Sequence, residues 1–171
     1  MLEQVSTDAG TIHYFDARVM PADPSQTKPV WTLQAHDEPV TTFDINSVIP
    51  GYLVTGSADK IVKLWNIQES GPSMVVSRDL GVGRVFSTTF APDQEVGFRL
   101  AIAGSKGAVQ IWDTSTNAAI RRAFATKVPA VEGEVKERFV SMKEDDSESE
   151  EGEDSEEGDD AAPDGWESME E

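Results

Sequence analysis

The residues of this chain best suited to chemistry are a histidine and the two acids that follow it. His36 directly precedes Asp37 and Glu38, and a histidine beside a carboxylate is the arrangement that makes a general base. The chain holds 2 histidines and 0 cysteines, so we find no set of nucleophile, base and orienting group. The lack of cysteine also excludes disulfides, thiolate catalysis and Cys-based zinc sites. We therefore predict a structural role for His36 and no catalytic residue.

Several other residues have types that bind ligands, and each has a simpler structural interpretation. Asp59 is a turn residue rather than a metal ligand, and Gly81–Gly83 lack the spacing and the following helix of a phosphate-binding loop. Arg121 and Arg122 either contact a phosphate or mark a solvated strand end. His13 lies on an alternating strand and is expected to face solvent. We predict no metal, no cofactor and no small-molecule substrate.

Larger elements must position these residues, and the sequence repeats itself. Thr41–Phe43 recurs as Thr88–Phe90, and Trp65 recurs as Trp112, each 47 residues later. The stretch SADKIVKLWNIQ around Trp65 matches SKGAVQIWDTS downstream and STDAGTIHYFDAR near the start, where Phe15 replaces the tryptophan. Length differences between the copies fall in loops, as they do in genuine repeats.

Each copy has the pattern of short strands. Apolar and polar residues alternate along VTTFDI, and YLVTG, IVKLWNI and SMVVSR follow with Gly, Pro, Asp and Asn between them. A helix is excluded because SVIPG and FAPDQ contain helix-breaking prolines and the apolar residues do not recur at three and four positions. We predict an all-β fold whose repeat unit is a four-stranded antiparallel meander.

A four-stranded unit of about 40 to 50 residues whose third strand ends in Trp-Asp or Trp-Asn resembles the WD repeat of β-propellers. The resemblance implies that His36, Thr55, Asp59 and Trp65 form a buried chain of hydrogen bonds. Physical chemistry agrees, because an indole N–H and a hydroxyl buried in a sheet need partners. The second copy departs from the pattern, since Gly83 stands at the position of His36 and its turn lacks the aspartate.

The same resemblance sets the boundaries of a partial WD-repeat β-propeller. We predict blades over residues 1–126, a linker at 127–143 and a disordered acidic tail at 144–171. Within the blades we predict a half blade at 1–18, full blades at about 30–68 and 73–115, and an extra strand at 119–124. The residues predicted to fill the blade core are Phe15, Trp31, Phe43, Phe90 and Trp112. About two and a half blades cannot close a ring of roughly four to eight, so we predict the C-terminal portion of a longer propeller.

One run of sequence is more specific than the WD pattern. The run from SADKIVKLW to SRDLGVGRVF, within residues 5 to 125, is similar to the C-terminal blades of the periodic tryptophan protein 1 family. That resemblance implies a non-catalytic nucleolar scaffold for large ribosomal subunit assembly and pre-rRNA processing. It also implies a nuclear location, proteins of pre-ribosomal particles as partners, and indirect contact with pre-rRNA.

The charge of the chain is concentrated at one end. The net charge is −18, yet residues 1–143 hold 14 basic and 16 acidic residues, and residues 144–171 hold 16 acids and no base. A basic nucleic-acid-binding domain is therefore not supported. No apolar run approaches the roughly 20 residues that span a bilayer, and no signal peptide is apparent. We predict a soluble, intracellular protein without membrane contact.

The acidic tail has two interpretations. It has too few apolar residues to fold and either only solubilises the chain or engages basic partners such as ribosomal proteins, histones or import factors. The second interpretation gives an alternative function, a chromatin- or histone-binding WD-repeat protein. Ser147, Ser149 and Ser155 lie in acidic runs that suit an acid-directed kinase. Trp166 is either accidental or an aromatic anchor for a basic partner.

Overall fold

The computed structural model describes residues 2–16, 18, 21, 23, 26–128 and 136–143. These residues form three antiparallel sheets. Sheet 1 contains β1 (Leu2–Ser6), β2 (Thr11–Asp16) and β3 (Trp31–Gln34) in chain order. Sheet 2 contains β4 (Val40–Ile45), β5 (Tyr52–Ser57), β6 (Ile61–Gln68) and β7 (Gly71–Asp79) in chain order. Sheet 3 contains β8 (Val85–Phe90), β9 (Arg99–Gly104), β10 (Ala108–Asp113) and β11 (Arg138–Lys143) in chain order. The predicted all-β, bladed fold is confirmed.

The turn before the third strand of the unit is built in the same way in sheets 2 and 3. In sheet 2 the Asp59 carboxylate accepts a hydrogen bond of 2.8 Å from the Ile61 N–H, and Lys60 has a φ of +73°. In sheet 3 the corresponding residue is Gly107, with a φ of +67°. Glycine adopts this left-handed conformation without strain. In sheet 2 a lysine adopts it, and the hydrogen bond to the Asp59 carboxylate stabilises the turn.

Two apolar clusters hold the three sheets together. The larger cluster lies between sheets 2 and 3, and Tyr52 packs there against Phe90 at 4.7 Å and against Phe124 at 4.6 Å between ring centroids. The smaller cluster joins sheets 1 and 2 and is formed by Ile12, Ala35, Val40, Leu53 and Trp65. Sheet 2 is therefore covered on both sides, which explains why every residue of β5 is buried.

The blade boundaries differ from the predicted ones. The residues Trp31–Gln34, assigned from sequence to the blade at 30–68, pair with β2 and complete sheet 1. The Trp31 ring stacks on Tyr14 at 4.8 Å with an interplanar angle of 3°, and this contact fixes the strand beside β2. The half blade predicted at 1–18 is therefore a three-stranded sheet, and the four-stranded sheets span 40–79 and 85–143.

The extra strand predicted at 119–124 is wrong. Residues Ala118–Ala123 form helix α1, preceded by a 3-10 turn at Thr114–Thr116. The Asn117 carboxamide caps the helix by accepting hydrogen bonds from the backbone N–H groups of the first turn. Ile120 and Phe124, four positions apart, are both buried in the larger cluster, so a helical turn is the conformation that buries them together.

The segment predicted as a linker at 127–143 is also structured at its end. Residues Arg138–Lys143 form β11, the outer strand of sheet 3. They pair with β10 along its length, from Ala108 opposite Lys143 to Asp113 opposite Arg138. The fourth strand of this sheet therefore follows an insertion that contains α1, whereas two residues separate β6 from β7 in sheet 2.

Candidate functional site

The structure brings the four side chains predicted from the WD resemblance into one chain of contacts. His36 Nδ1 lies 2.8 Å from Asp59 Oδ2, and His36 Nε2 lies 2.8 Å from Thr55 Oγ1. The Trp65 indole Nε1–H donates to the same Thr55 hydroxyl at 3.0 Å. These hydrogen bonds therefore link the carboxylate near the surface, the imidazole, the hydroxyl and the indole in a row.

The donors and acceptors of this chain fix the protonation of His36. Since the Thr55 hydroxyl accepts from the Trp65 indole, its own proton is free to be donated to His36 Nε2. Nε2 is then unprotonated, and Nδ1 carries the proton that it donates to Asp59. Burial lowers the pKa of His36, while the hydrogen bond to Asp59 opposes this shift. The imidazole is therefore the neutral Nδ1–H tautomer at neutral pH.

The backbone around His36 is held by sheet 1. The Gly10 carbonyl accepts hydrogen bonds from the N–H groups of Ala35 and His36, both at 3.0 Å. Lys63 Nζ donates to the Ala35 carbonyl at 2.7 Å, and the Gln34 carboxamide donates to the His36 carbonyl at 2.7 Å. The loop that carries His36 is thus fixed on both sides, which gives the imidazole one orientation.

The same site has no room for chemistry on a substrate. The His36 side chain is 0% exposed, and both of its ring nitrogens already have partners. A general base must reach the proton that it removes, within about 3 Å. His36 therefore joins sheet 1 to sheet 2 rather than acting on a bound molecule.

Sheet 3 has a different arrangement at the equivalent position. Trp112 is buried, and within the described residues its indole Nε1 has no hydrogen-bond partner. Ile102 lies 47 residues after Thr55 and provides no acceptor. Gly83, at the position of His36, has a φ of +77°, and a Cβ there would lie 2.4 Å from Ser105 Oγ. The space for an imidazole is therefore closed in this sheet.

The other residues predicted for the core differ in burial. Phe90 and Trp112 are buried, and Trp112 also stacks on Phe139 at 5.5 Å. Phe15, Trp31 and Phe43 are half-buried; Trp31 and Phe43 pack against the smaller cluster.

The structure also locates the histidine and the two arginines for which a ligand-binding role was considered. His13 was expected to face solvent; it is half-buried, and its Nδ1 lies 2.9 Å from Thr32 Oγ1. Arg121 and Arg122 belong to the last turn of α1. Arg122 lines an open groove of about 540 Å³ between α1 and the β6–β7 hairpin, together with the exposed Met74.

Sequence reasoning missed two residues that position the blades. Asn46 donates from Nδ2 to the Gly97 carbonyl at 2.6 Å and accepts from the N–H groups of Val48 and Ile49. Tyr52 is the centre of the aromatic cluster. The signal for Asn46 was the turn-forming sequence that follows it, Ser47 and then Pro50-Gly51. In such turns an asparagine side chain commonly accepts a hydrogen bond from the backbone two residues later.

Several predicted features lie outside the described residues: Ser147, Ser149, Ser155 and Trp166, with the whole tail at 144–171. Among the residues that are described, no three or more His, Cys, Asp or Glu side chains come together as a metal site. In the same part of the chain, no helix has the length and apolar character needed to cross a membrane.

Comparisons with known proteins agree with this geometry. The family described as WD domain, G-beta repeat matches residues 27–66. A WD repeat-containing protein of Schizosaccharomyces pombe is 46% identical over 140 residues, covering 82% of this chain and 26% of that protein. Periodic tryptophan protein 1 of Saccharomyces cerevisiae is 40% identical over 138 residues, covering 77% of this chain and 23% of that protein.

More distant similarities extend the comparison. The periodic tryptophan protein 1 homolog of Drosophila melanogaster is 28% identical over 121 residues, covering 70% of this chain and 25% of that protein. This chain therefore spans about a quarter of the length of these relatives. A chain in the crystal structure of the mitotic checkpoint complex superposes with a TM-score of 0.54 at 22% identity, over 67% of this chain and 32% of that chain. That similarity shows the fold alone.

Proposed function

We propose a scaffolding function from one premise: this chain belongs to the periodic tryptophan protein 1 family of WD-repeat proteins. WD-repeat sheets serve protein–protein interaction, and this chain shares that role. The finer proposal is a non-catalytic factor of the nucleus and nucleolus that acts in large ribosomal subunit assembly and pre-rRNA processing. Its partners are then proteins of pre-ribosomal particles, and its contact with pre-rRNA is indirect.

The observation that carries the scaffold proposal is the closure of the His36 site. The imidazole is 0% exposed, and its two nitrogens are committed to Asp59 and Thr55. The polar residues best suited to chemistry therefore stabilise a junction between sheets. Packed sheets whose histidine site is closed to substrates present their loops and strand edges to partners, which suits an assembly factor.

The experiment is affinity purification of the tagged 171-residue chain from nuclear extract. We expect large-subunit ribosomal proteins and pre-rRNA to co-purify, and RNase treatment to remove the RNA but not every protein. A parallel purification of the chain that ends at Lys143 separates binding by the sheets from binding by the tail. Enrichment of nucleosomes without pre-rRNA would replace this proposal by the chromatin-binding alternative.

The acidic tail gives a separate prediction about the partner. We propose that residues 144–171 bind a basic protein surface, with the charges speeding the encounter and Trp166 supplying buried apolar area. Trp166→Ala is then expected to weaken binding to a basic ribosomal protein without a change in net charge. Calorimetry across a salt series measures it, because salt weakens the ionic part of the interaction.

The matched control for this prediction is Met169→Ala, which removes another apolar side chain of the same tail. It should bind like the wild type if Trp166 is a specific anchor. Removal of residues 144–171 should abolish the interaction and leave the unfolding of the sheets unchanged. Wild-type binding by Trp166→Ala at every salt concentration, with loss on tail removal, would leave a tail that acts by charge alone.

A further inference from the structure

The groove between α1 and the β6–β7 hairpin is a surface that the scaffold proposal leaves without a role. Its volume is about 540 Å³, within the roughly 300 to 1,000 Å³ of ligand-binding clefts. One wall belongs to sheet 2, and the other is the helix whose buried residues fill the space between sheets 2 and 3. Further blades packed beside sheet 1 or sheet 3 would therefore leave the groove open.

The helical wall of the groove is made of small side chains. Ala119 and Ala123 both line it, and residues four positions apart lie on the same side of a helix. Met74 of β7 also lines the groove and is 56% exposed. A methionine side chain is flexible and polarisable, so it adapts to apolar groups of different shapes. This part of the groove therefore suits an apolar side chain from another molecule.

Two carboxamides supply the polar part of the groove. Asn66 and Gln68, at the end of β6, both line it, and neither side chain has a hydrogen-bond partner in the described part of the chain. The Ser73 hydroxyl donates to the Asn66 carbonyl at 3.1 Å, which holds the two strands of the hairpin together at this point. A carboxamide both donates and accepts hydrogen bonds, so each can pair with the C=O and N–H groups of an extended peptide.

The charges beside the groove are positive. Residues 114–128 hold no acid and three bases, Arg121, Arg122 and Lys127, none of which forms an ion pair with a described residue. Arg122 lines the groove and is exposed, and its Nε donates to a carbonyl of its own helix at 3.3 Å. Glu69 at the tip of the hairpin is exposed, and no carboxylate lines the groove among the described residues. The groove is therefore complementary to a negative charge.

We propose that this groove binds an extended acidic segment of a partner protein. A carboxylate of the segment pairs with Arg122, its peptide groups bond to Asn66 and Gln68, and an apolar side chain packs on Met74. Single-stranded RNA fits the groove less well, because no aromatic side chain lines it among the described residues to stack on a base. The contact does not depend on a role in ribosome assembly, so either proposal can fail without the other.

Selection of short random peptides on the full 171-residue chain tests this proposal. The pool is first depleted on the Met74→Ala chain, which keeps every charge, so a preference for acids is not built into the selection. We expect the selected peptides to combine Asp or Glu with one apolar residue. Fluorescence anisotropy then measures binding of the most enriched peptide. Arg122→Glu is expected to weaken that binding about tenfold, because an ion pair is replaced by two like charges.

The matched control is Arg84→Glu, which makes the same charge change at an exposed arginine at the opposite end of sheet 3 from α1. It should bind the peptide like the wild type, and Arg122→Lys should retain part of the affinity because it keeps the charge. Circular dichroism should show the same strand content in all variants. Equal weakening by Arg84→Glu and Arg122→Glu would mean that only the overall charge matters, and it would overturn the proposal.

Other outcomes overturn the proposal as well. They are a selection that yields no peptide, selected peptides without acids, and an oligouridine probe whose binding is lost in Arg122→Glu, which would assign the groove to RNA. A photo-reactive amino acid in place of Met74 distinguishes a partner from this chain's own acidic tail. A cross-link from that position to residues 144–171 of the same molecule would assign the groove to the tail instead of a partner.

Discussion

Phe124→Ala is expected to lower the free energy of unfolding by about 3 to 5 kcal/mol, the range for truncating a large aromatic side chain in a core. The side chain is buried between sheets 2 and 3, where its ring lies 4.6 Å from Tyr52 and 6.4 Å from Phe98. Removing it leaves a cavity against the ring of Tyr52 on β5 and the ring of Phe98 in the turn before β9. Urea unfolding of the wild type and the variant measures the change.

Arg122→Ala is the matched control for this prediction. It changes the same helix at an exposed position, where substitutions usually alter stability by less than about 0.5 kcal/mol. A large difference between the two variants shows that the insertion after β10 clamps two sheets together. Equal losses of stability in the two variants would mean that Phe124 does not pack in the cluster and that α1 lies on the surface without holding the sheets together.

The helix also shows what the sequence could not reveal. The segment AAIRRAF is too short for apolar periodicity to separate a helix from a strand. The available signals were Asn117 as a helix cap and the four-residue spacing of Ile120 and Phe124. These signals are weak because the helix is favoured only where its apolar residues fill the space between sheets 2 and 3. Only the folded structure defines that space.

Strands β5 and β6 of sheet 2 were predictable because their apolar pattern occurs a second time, in β9 and β10. The 47-residue offset that joins Trp65 to Trp112 also joins Leu53 of β5 to Leu100 of β9, which pair with the two tryptophans. By contrast, the alternation at Trp31–Gln34 indicates a strand without naming its neighbour, since pairing with β2 depends on contacts such as that with Tyr14. The strand β11 was missed because its partner β10 lies beyond the helical insertion.

The four-residue hydrogen-bonded chain was predictable by resemblance, whereas its absence in sheet 3 has a physical reason in the structure. Gly83 has the left-handed backbone and the crowded Cβ position that leave no room for an imidazole. Among the residues that the structure describes, Trp112 is therefore held by stacking on Phe139 and by the apolar cluster, and its indole has no hydrogen-bond partner there. The two junctions of this chain thus use different combinations of polar and apolar contacts.

His36→Ala is expected to lower the free energy of unfolding by about 1 to 3 kcal/mol at pH 7, the cost of leaving buried polar groups without partners. The substitution removes the acceptor of the Thr55 hydroxyl and the donor to Asp59 at once. The control is His13→Ala, which removes the other histidine, a half-buried residue of β2. We expect urea unfolding to show a smaller loss for that variant.

The effect of His36→Ala should depend on pH in one direction. Burial lowers the pKa of His36 in the folded state, so the unfolded chain, with a histidine pKa of about 6.5, takes up the proton first. The stabilisation from His36 is therefore complete above pH 6.5 and is lost as the pH falls from there toward the lower folded pKa. Protonated Nε2 would also no longer accept the proton of the Thr55 hydroxyl, so the hydrogen bond between the two residues would have to reverse its direction.

Unfolding midpoints of the wild type and His36→Ala at pH 7, 6 and 5 measure this dependence. The difference between the two proteins is expected to be largest at pH 7 and to shrink as the pH falls. A difference that stays constant or grows would contradict a neutral imidazole in the folded state. Binding of a partner should fall only as far as folding does, because the imidazole is 0% exposed. A His36→Ala protein that kept its unfolding midpoint and lost its partner would make His36 a binding residue instead of a junction between sheets.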